Sequence, residues 1–134
     1  VVKSNLGNQV RFLDFVPAED MHGLYEASDT VLMPTYFGPT NLPPLEAWTL
    51  RKPLIYSVKF AEHAKDAAVL VDPDDASQLA AAITLCKDKD YRKKLMNAGQ
   101  LRLKELNDER KTSEADLLAR LKQFEKRLKC WNIT

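Results

Sequence analysis

The sequence has little of what marks a metal site, a membrane anchor or a polyanion surface. Its two cysteines, Cys86 and Cys130, lie far apart and match no metal-ligand spacing. They read as reduced thiols of a cytosolic protein. No stretch approaches the roughly 20 apolar residues of a membrane span. The start carries no basic-then-apolar signal pattern, so Asn132-Ile133-Thr134, formally a glycosylation acceptor, has no weight. Lys and Arg number 20 against 19 Asp and Glu, which leaves no excess for a basic nucleic-acid-binding face. A cytoplasmic protein with no nucleic-acid partner is expected.

What is present is an ordinary globular composition. Of the 134 residues, 45% are hydrophobic and 29% charged, enough for one domain with a real core. Val10-Arg11-Phe12-Leu13-Asp14-Phe15 is a short, mostly apolar run that predicts a strand. Pro17-Ala18-Glu19-Asp20 predicts a first helical turn, with its proline and its dipole-matched acids. Thr30-Val31-Leu32-Met33 predicts a second strand, stopped by Pro34. Pro43 and Pro44 open a helix that ends near Arg51-Lys52. Leu54-Ile55-Tyr56-Ser57 and Ala67-Ala68-Val69-Leu70-Val71 predict two further strands. Helices follow over 76–86 and from about 91 to 106. A polar break is expected at Asn107-Asp108-Glu109-Arg110. A separate amphipathic helix then runs from about 112 to 130, on the stripe Leu117, Leu118, Leu121, Phe124 and Leu128.

Apolar strands that hardly alternate, interleaved with helices, imply an α/β fold with a parallel sheet covered on both faces. Such sheets bind ligands where the carboxyl ends of strands run into helix amino termini. The loop Thr35-Tyr36-Phe37-Gly38-Pro39-Thr40-Asn41-Leu42 occupies such a place. Backbone N–H groups at a helix start lack partners and suit a phosphate. Gly38 lets the main chain approach, and Pro39, Pro43 and Pro44 have no N–H to give. Thr40, Asn41 and Leu42 are therefore the candidate main-chain donors. Glu46, one step into the helix, suits hydroxyls such as those of a ribose better than it suits an anion. Taken by themselves, these features also fit a plain loop and a dipole-satisfying glutamate.

The order of residues adds to this. The string Met33-Pro34-Thr35-Tyr36-Phe37-Gly38-Pro39-Thr40-Asn41-Leu42-Pro43-Pro44-Leu45-Glu46-Ala47-Trp48, with Lys52-Pro53 after it, closely resembles the retaining GT-B glycosyltransferases of the large family four. Val10-Arg11-Phe12-Leu13-Asp14-Phe15-Val16-Pro17 is similar to that family's strand and loop beside the nucleobase. Phe60-Ala61-Glu62-His63-Ala64, followed by residues 66–75, is similar to its closing strand and turn. The Phe-Gly-Pro-Thr-Asn variant is similar to members that build surface polysaccharides.

The resemblance implies that residues 1–134 form a partial, Rossmann-like, carboxyl-terminal donor domain of a GT-B enzyme. That enzyme would transfer a hexose, mannose or glucose, from a UDP- or GDP-sugar to a glycan or lipid-linked acceptor, with retention and without a metal. It would work in the cytoplasm or at the inner face of the membrane. Glu46 would accept the ribose hydroxyls. Gly38, Pro39, Thr40, Asn41 and Leu42 would meet the sugar and diphosphate, and Phe15, Val16 and Pro17 would hold the base. No residue is assigned as catalytic. Gly38 stands where the family's Glu-x7-Glu motif has its first glutamate, which puts the sugar geometry in question, with Asn41 a substitute. Asp14 stands where a glycine is common. The family's amino-terminal acceptor domain and its cation-bearing strand-helix-strand unit have no counterpart here, so the chain is expected to be inactive alone. Donor binding would then be roughly millimolar. The alternative is a non-catalytic nucleotide-binding or assembly module, from a split enzyme, with an exposed sheet edge open to a second copy. Among other residues, His22 is expected to have no special role. Glu62 and His63 are secondary site candidates, and Trp48 and Phe37 are expected to pack.

Overall fold

The computed structural model describes residues 6, 9–38 and 42–130. Five helices and three strands follow one another along these residues. They are α1 (Ala18–Ala27), β1 (Val31–Met33), α2 (Leu42–Thr49), β2 (Leu54–Ser57), α3 (Ala61–Ala64), β3 (Val69–Val71), α4 (Ala76–Leu85) and α5 (Lys89–Cys130). Tight turns at Val58–Phe60 and Lys65–Ala67 flank α3. The strands form one parallel sheet in the order β1-β2-β3, with Val31 opposite Leu54 and Ile55 opposite Val69. This is an α/β fold with helices on both faces of the sheet.

The central strand β2 explains why its sequence hardly alternates. Leu54, Ile55, Tyr56 and Ser57 are all buried. Successive side chains of a strand point to opposite faces, so each face needs its own cover. Leu54 and Tyr56 join Ala47, Trp48, Ala64 and Ala67 in one core. Ile55 joins Val71, Ala82, Cys86 and Leu95 in the other.

Helix ends follow local chemistry. Asp75 caps α4 by accepting from the N–H groups of Ser77 and Gln78 at 2.9 and 3.1 Å. Two residues past α2, Arg51 takes a left-handed φ of 53°. The Arg51 and Lys52 N–H groups return to the Trp48 and Ala47 carbonyls, closing a left-handed C-cap. Lys52 also reaches across to α1, where its ammonium donates to the Glu26 and Ser28 carbonyls at 2.8 and 2.9 Å. A cation at a helix carboxyl end is favourable there. Pro53 then leads straight into β2.

Two expected features differ. Residues 10–15 form no strand: they run as irregular chain, with Phe12 76% exposed and Phe15 83%. A strand exists only where another pairs with it, and no described segment pairs with this one. Asp14, with φ 50, also breaks the extended path. That left-handed φ is the physical reason glycine is easy at this position, and Asp is among the few other residues that tolerate it.

The polar break at 107–110 is absent too. Helix α5 passes through it unbroken. Asn and Asp cost a helix only some tenths of a kcal/mol each, and side chains tie the region together. Arg102, buried, donates to Glu105 at 2.9 Å and to Glu109 at 3.2 Å, spanning the segment. It also donates to the His63 carbonyl at 2.8 Å, which fixes α5 to α3. Lys65 joins the same Glu105 at 2.9 Å. The helix expected over 112–130 is therefore the continuation of α5. Among the described residues, no helix is long and apolar enough to cross a membrane.

Candidate functional site

The carboxyl ends of the three strands feed three loops, and side chains draw those loops together. Thr35 turns the β1 loop by donating its hydroxyl to the Phe37 carbonyl at 2.6 Å and accepting the Phe37 N–H at 3.2 Å. This turn throws Phe37 outward to 77% exposure, so it does not pack. Tyr36, beside it, donates its hydroxyl to Asp74 in the loop after β3. That bond, ahead of the burial of the ring, pushes the Tyr36 phenol above its ordinary pKa. Lys59, in the turn after β2, holds its ammonium 5.7 Å from the Tyr36 ring centre. An ammonium over a ring face is attracted by the ring's quadrupole. All three strand ends thus contribute to one polar rim.

A groove of about 340 Å³ lies between α1 and α2, lined by Met21, His22, Tyr25, Leu42, Leu45, Glu46, Thr49 and Leu50. Glu46 and Leu42 share it because they lie four residues apart on α2, one above the other on the same face. The Tyr25 hydroxyl crosses from α1 and donates to Glu46 Oε2 at 2.7 Å. Burial first, and then the Glu46 carboxylate, hold the Tyr25 phenol above its ordinary pKa, so it remains a donor. An ionised carboxylate has about four lone-pair sites. One is taken by Tyr25, and Oε1 is left to accept from a hydroxyl entering the groove.

The sequence-derived site residues are only partly brought together. Glu46 and Leu42 share the groove, and Gly38, half-buried, ends the described part of the β1 loop. Pro39, Thr40 and Asn41 lie outside the described residues. Phe15, Val16 and Pro17 do not line the groove but lead into α1, with Pro17 at its N-cap, one turn before Met21. Phe15 is exposed, while Val16 and Pro17 are half-buried. The Asp72-Pro73-Asp74 turn has carboxylates two residues apart, but they are engaged. Asp72 accepts from the Asp74 N–H at 3.0 Å and Asp74 from Tyr36.

The secondary candidates fall elsewhere. Glu62 is exposed on α3. His63 lies against Trp48 and Tyr56, with ring centres 5.7 and 6.5 Å away, and does not line the groove. Its buried Nε2 has no hydrogen-bond partner among the described residues. Burial first, then the nearby Arg102, hold its pKa below the ordinary value, against the pull of Glu109. Trp48 packs, as expected: it is buried, and its indole N–H donates to the Ala67 carbonyl at 2.9 Å. His22, expected to be idle, lines the groove and pairs with Glu26 at 3.3 Å. Sequence reasoning gave Tyr25 only a packing role on α1 and gave Lys59 none. Their significance comes from tertiary proximity to Glu46 and Tyr36, and no local pattern announces it.

The family model described as glycosyl transferases group 1 matches residues 1–88. Among curated proteins, the O-antigen chain mannosyltransferase B of Escherichia coli is 34% identical over 76 residues. That similarity covers 55% of this chain and 20% of the relative, so the chain spans about a fifth of the length of the curated protein it matches.

Proposed function

This chain belongs to the group 1 glycosyl transferases, and we propose that it holds the donor, a nucleotide-diphosphate hexose, for a transfer that retains configuration. The observation that supports this most is Glu46 set in the groove with an oxygen still open to hydroxyls. In this reading Glu46 accepts the paired ribose hydroxyls. Each such bond, to a charged acceptor, contributes about 1.5–3 kcal/mol.

In this reading the diphosphate is met by Gly38, Pro39, Thr40, Asn41 and Leu42, before and at the start of α2, because helix-start N–H groups lack intrahelical partners and suit an anion. Lys59 adds a cation at the same strand ends. Charge develops on the diphosphate as the glycosidic bond breaks, and fixed dipoles and cations pointed at it lower the barrier. No metal is required in this scheme. The base sits at the amino end of α1, against Phe15, Val16 and Pro17. The similarity to an O-antigen mannosyltransferase favours mannose, from GDP-mannose, and a glycan or lipid-linked acceptor in surface polysaccharide assembly. The reaction would run in the cytoplasm or at the inner membrane face, together with an acceptor-binding domain or partner chain.

Saturation-transfer NMR tests the reading. UDP- and GDP-sugars are screened against the wild-type chain and Glu46→Ala. Transfer to the ribose protons is expected for the wild type and lost in the variant. Transfer that survives unchanged removes Glu46 from the site. Donor binding that never leads to turnover with the acceptor domain supplied would favour a binding or assembly module instead.

A further inference from the structure

Helix α1 is lightly held for an element that lines one wall of the groove. Among the described residues none of its own is fully buried, its amino end has no side-chain cap, and its last turn has no basic residue. The carbonyls of a last turn lack intrahelical partners and gather partial negative charge. Here the cation that meets them comes from another element. The Lys52 ammonium donates to the Glu26 carbonyl at 2.8 Å and to the Ser28 carbonyl at 2.9 Å. The main chain of the same residue is tied to α2, where the Lys52 N–H donates to the Ala47 carbonyl at 2.7 Å.

Glu26 follows Tyr25 in the chain, and Ala47 follows Glu46. Lys52 therefore joins the two backbone segments whose side chains meet as the Tyr25–Glu46 pair. Ser28 carries the hold to Tyr25 itself, since its hydroxyl and its N–H both donate to the Tyr25 carbonyl, at 2.7 and 3.1 Å. The α2 side is the fixed one, because Ala47 and the Pro53-Leu54 that follow Lys52 are buried. We propose that Lys52 is a positioning residue for the groove: it sets how closely α1 approaches α2, and so keeps the Tyr25 hydroxyl on Glu46. It touches no ligand itself, and its effect on donor binding rests on the reading of Glu46 as the ribose acceptor. A second link lies nearby, from Arg92 to Asp29 at 2.7 Å. It grips the chain only after α1 has ended, through a carboxylate that is almost wholly exposed, so it is a weak competitor for this task.

NMR of the isotope-labelled 134-residue chain tests the proposal with two readouts. One is the nuclear Overhauser contact between the Tyr25 ring and the Glu46 side chain in the free chain, and the other is titration with GDP-mannose. Lys52→Met, which keeps the stem and removes the charge, should lose the contact and weaken binding by about fivefold, the worth of the one bond it maintains. The methyl resonances of Ile55 and Val71, in the other core, should stay in place. Lys52→Arg should restore both readouts, since a guanidinium fork can donate to both carbonyls. In a Tyr25→Phe background Lys52→Met should cost binding nothing further, because changes that act through one bond do not add. Arg92→Met should leave both readouts as in the wild type. Should Lys52→Met fail to fold, Lys52→Gln, which reaches one carbonyl at most, gives the same comparison. The proposal is overturned if the contact survives the loss of the ammonium, if Arg92→Met abolishes it equally, or if the Lys52 and Tyr25 effects on binding add. GDP-mannose that binds neither the wild type nor any variant removes the donor reading instead, and the Tyr25–Glu46 contact alone then decides the role of Lys52.

Discussion

The Tyr25 phenol and the Glu46 carboxylate, 21 residues apart in sequence, meet at 2.7 Å across the groove between α1 and α2. This contact orients the carboxylate before any sugar arrives. It costs Glu46 one acceptor site and saves the entropy of ordering the side chain during binding. Removing the carboxylate should therefore hurt more than removing its positioner. Glu46→Gln should weaken donor binding by at least about tenfold, through the loss of charge-assisted bonds. Tyr25→Phe should weaken it by about fivefold, near 1 kcal/mol. Titration of the donor by NMR separates the two. Equal effects would mean that Tyr25 touches the donor itself.

Lys59 supplies an electrostatic counterpart. Its ammonium stands over Tyr36 at the mouth of the strand ends, exposed to solvent. Lys59→Ala should weaken binding of a nucleoside diphosphate several-fold while leaving that of the nucleoside alone unchanged. Raising the salt concentration should shrink the difference, because exposed charges are screened.

Two glycines make opposite predictions. A Cβ at Gly99 would sit 2.6 Å from Cδ1 of Trp48, and the indole is held by its bond to the Ala67 carbonyl. Gly99→Ala should therefore destabilise by about 1–3 kcal/mol, overriding alanine's better helix propensity. At Gly23, in α1, an added Cβ meets nothing within 4 Å. Gly23→Ala should stabilise by about 0.5–1 kcal/mol. Urea melts of both variants decide this.

Acid should loosen the packing at His63. Its folded pKa is depressed, by burial and then by Arg102. Above the ordinary value near 6.5 the ring is neutral in both folded and unfolded chains, and its contribution is fully present. As pH falls below that value the unfolded chain takes up the proton first, so stability drops until the folded pKa is passed. The urea midpoint should fall as the pH is lowered through and below about 6.5, and His63→Phe should flatten that slope. A slope identical in the variant would assign the effect to other groups.

The cap of α2 offers a simpler check. Arg51 holds a left-handed φ of 53°, which glycine adopts without strain. Arg51→Gly should raise stability by about 1 kcal/mol, as read by thermal melting.

The sequence made some of this legible for identifiable reasons. Strand β2 could be read from Leu54 to Ser57 because burial on both faces leaves an unbroken apolar run. Helix α4 could be read because residues 76–86 are rich in alanine, with Leu79, Ala82, Ile83 and Cys86 at helical spacing; the Asp75 cap is what the structure adds. The run at 10–15 could not, because apolar composition names a strand without naming its partner. The continuity of α5 was hidden because Asn107 and Asp108 look like a break, while the bonds from Arg102 to Glu105 and Glu109 that span it exist only in the folded helix. In the candidate site, Glu46 and Leu42 followed from a local motif. Tyr25 and Lys59 did not, since each matters only through a residue distant in sequence.

The close seat of Trp48 on Gly99 has a consequence far from either residue. Wherever the indole abuts α5, only a residue with no side chain fits, so the helix cannot turn about its own axis or slide by one residue without a clash. From Gly99 to Leu117 the helix runs on for roughly 27 Å without interruption. A rod clamped at one bearing carries that bearing along its length. The indole thereby aims the leucines at the far end, and a substitution at position 99 would swing their heading as surely as it would loosen the core.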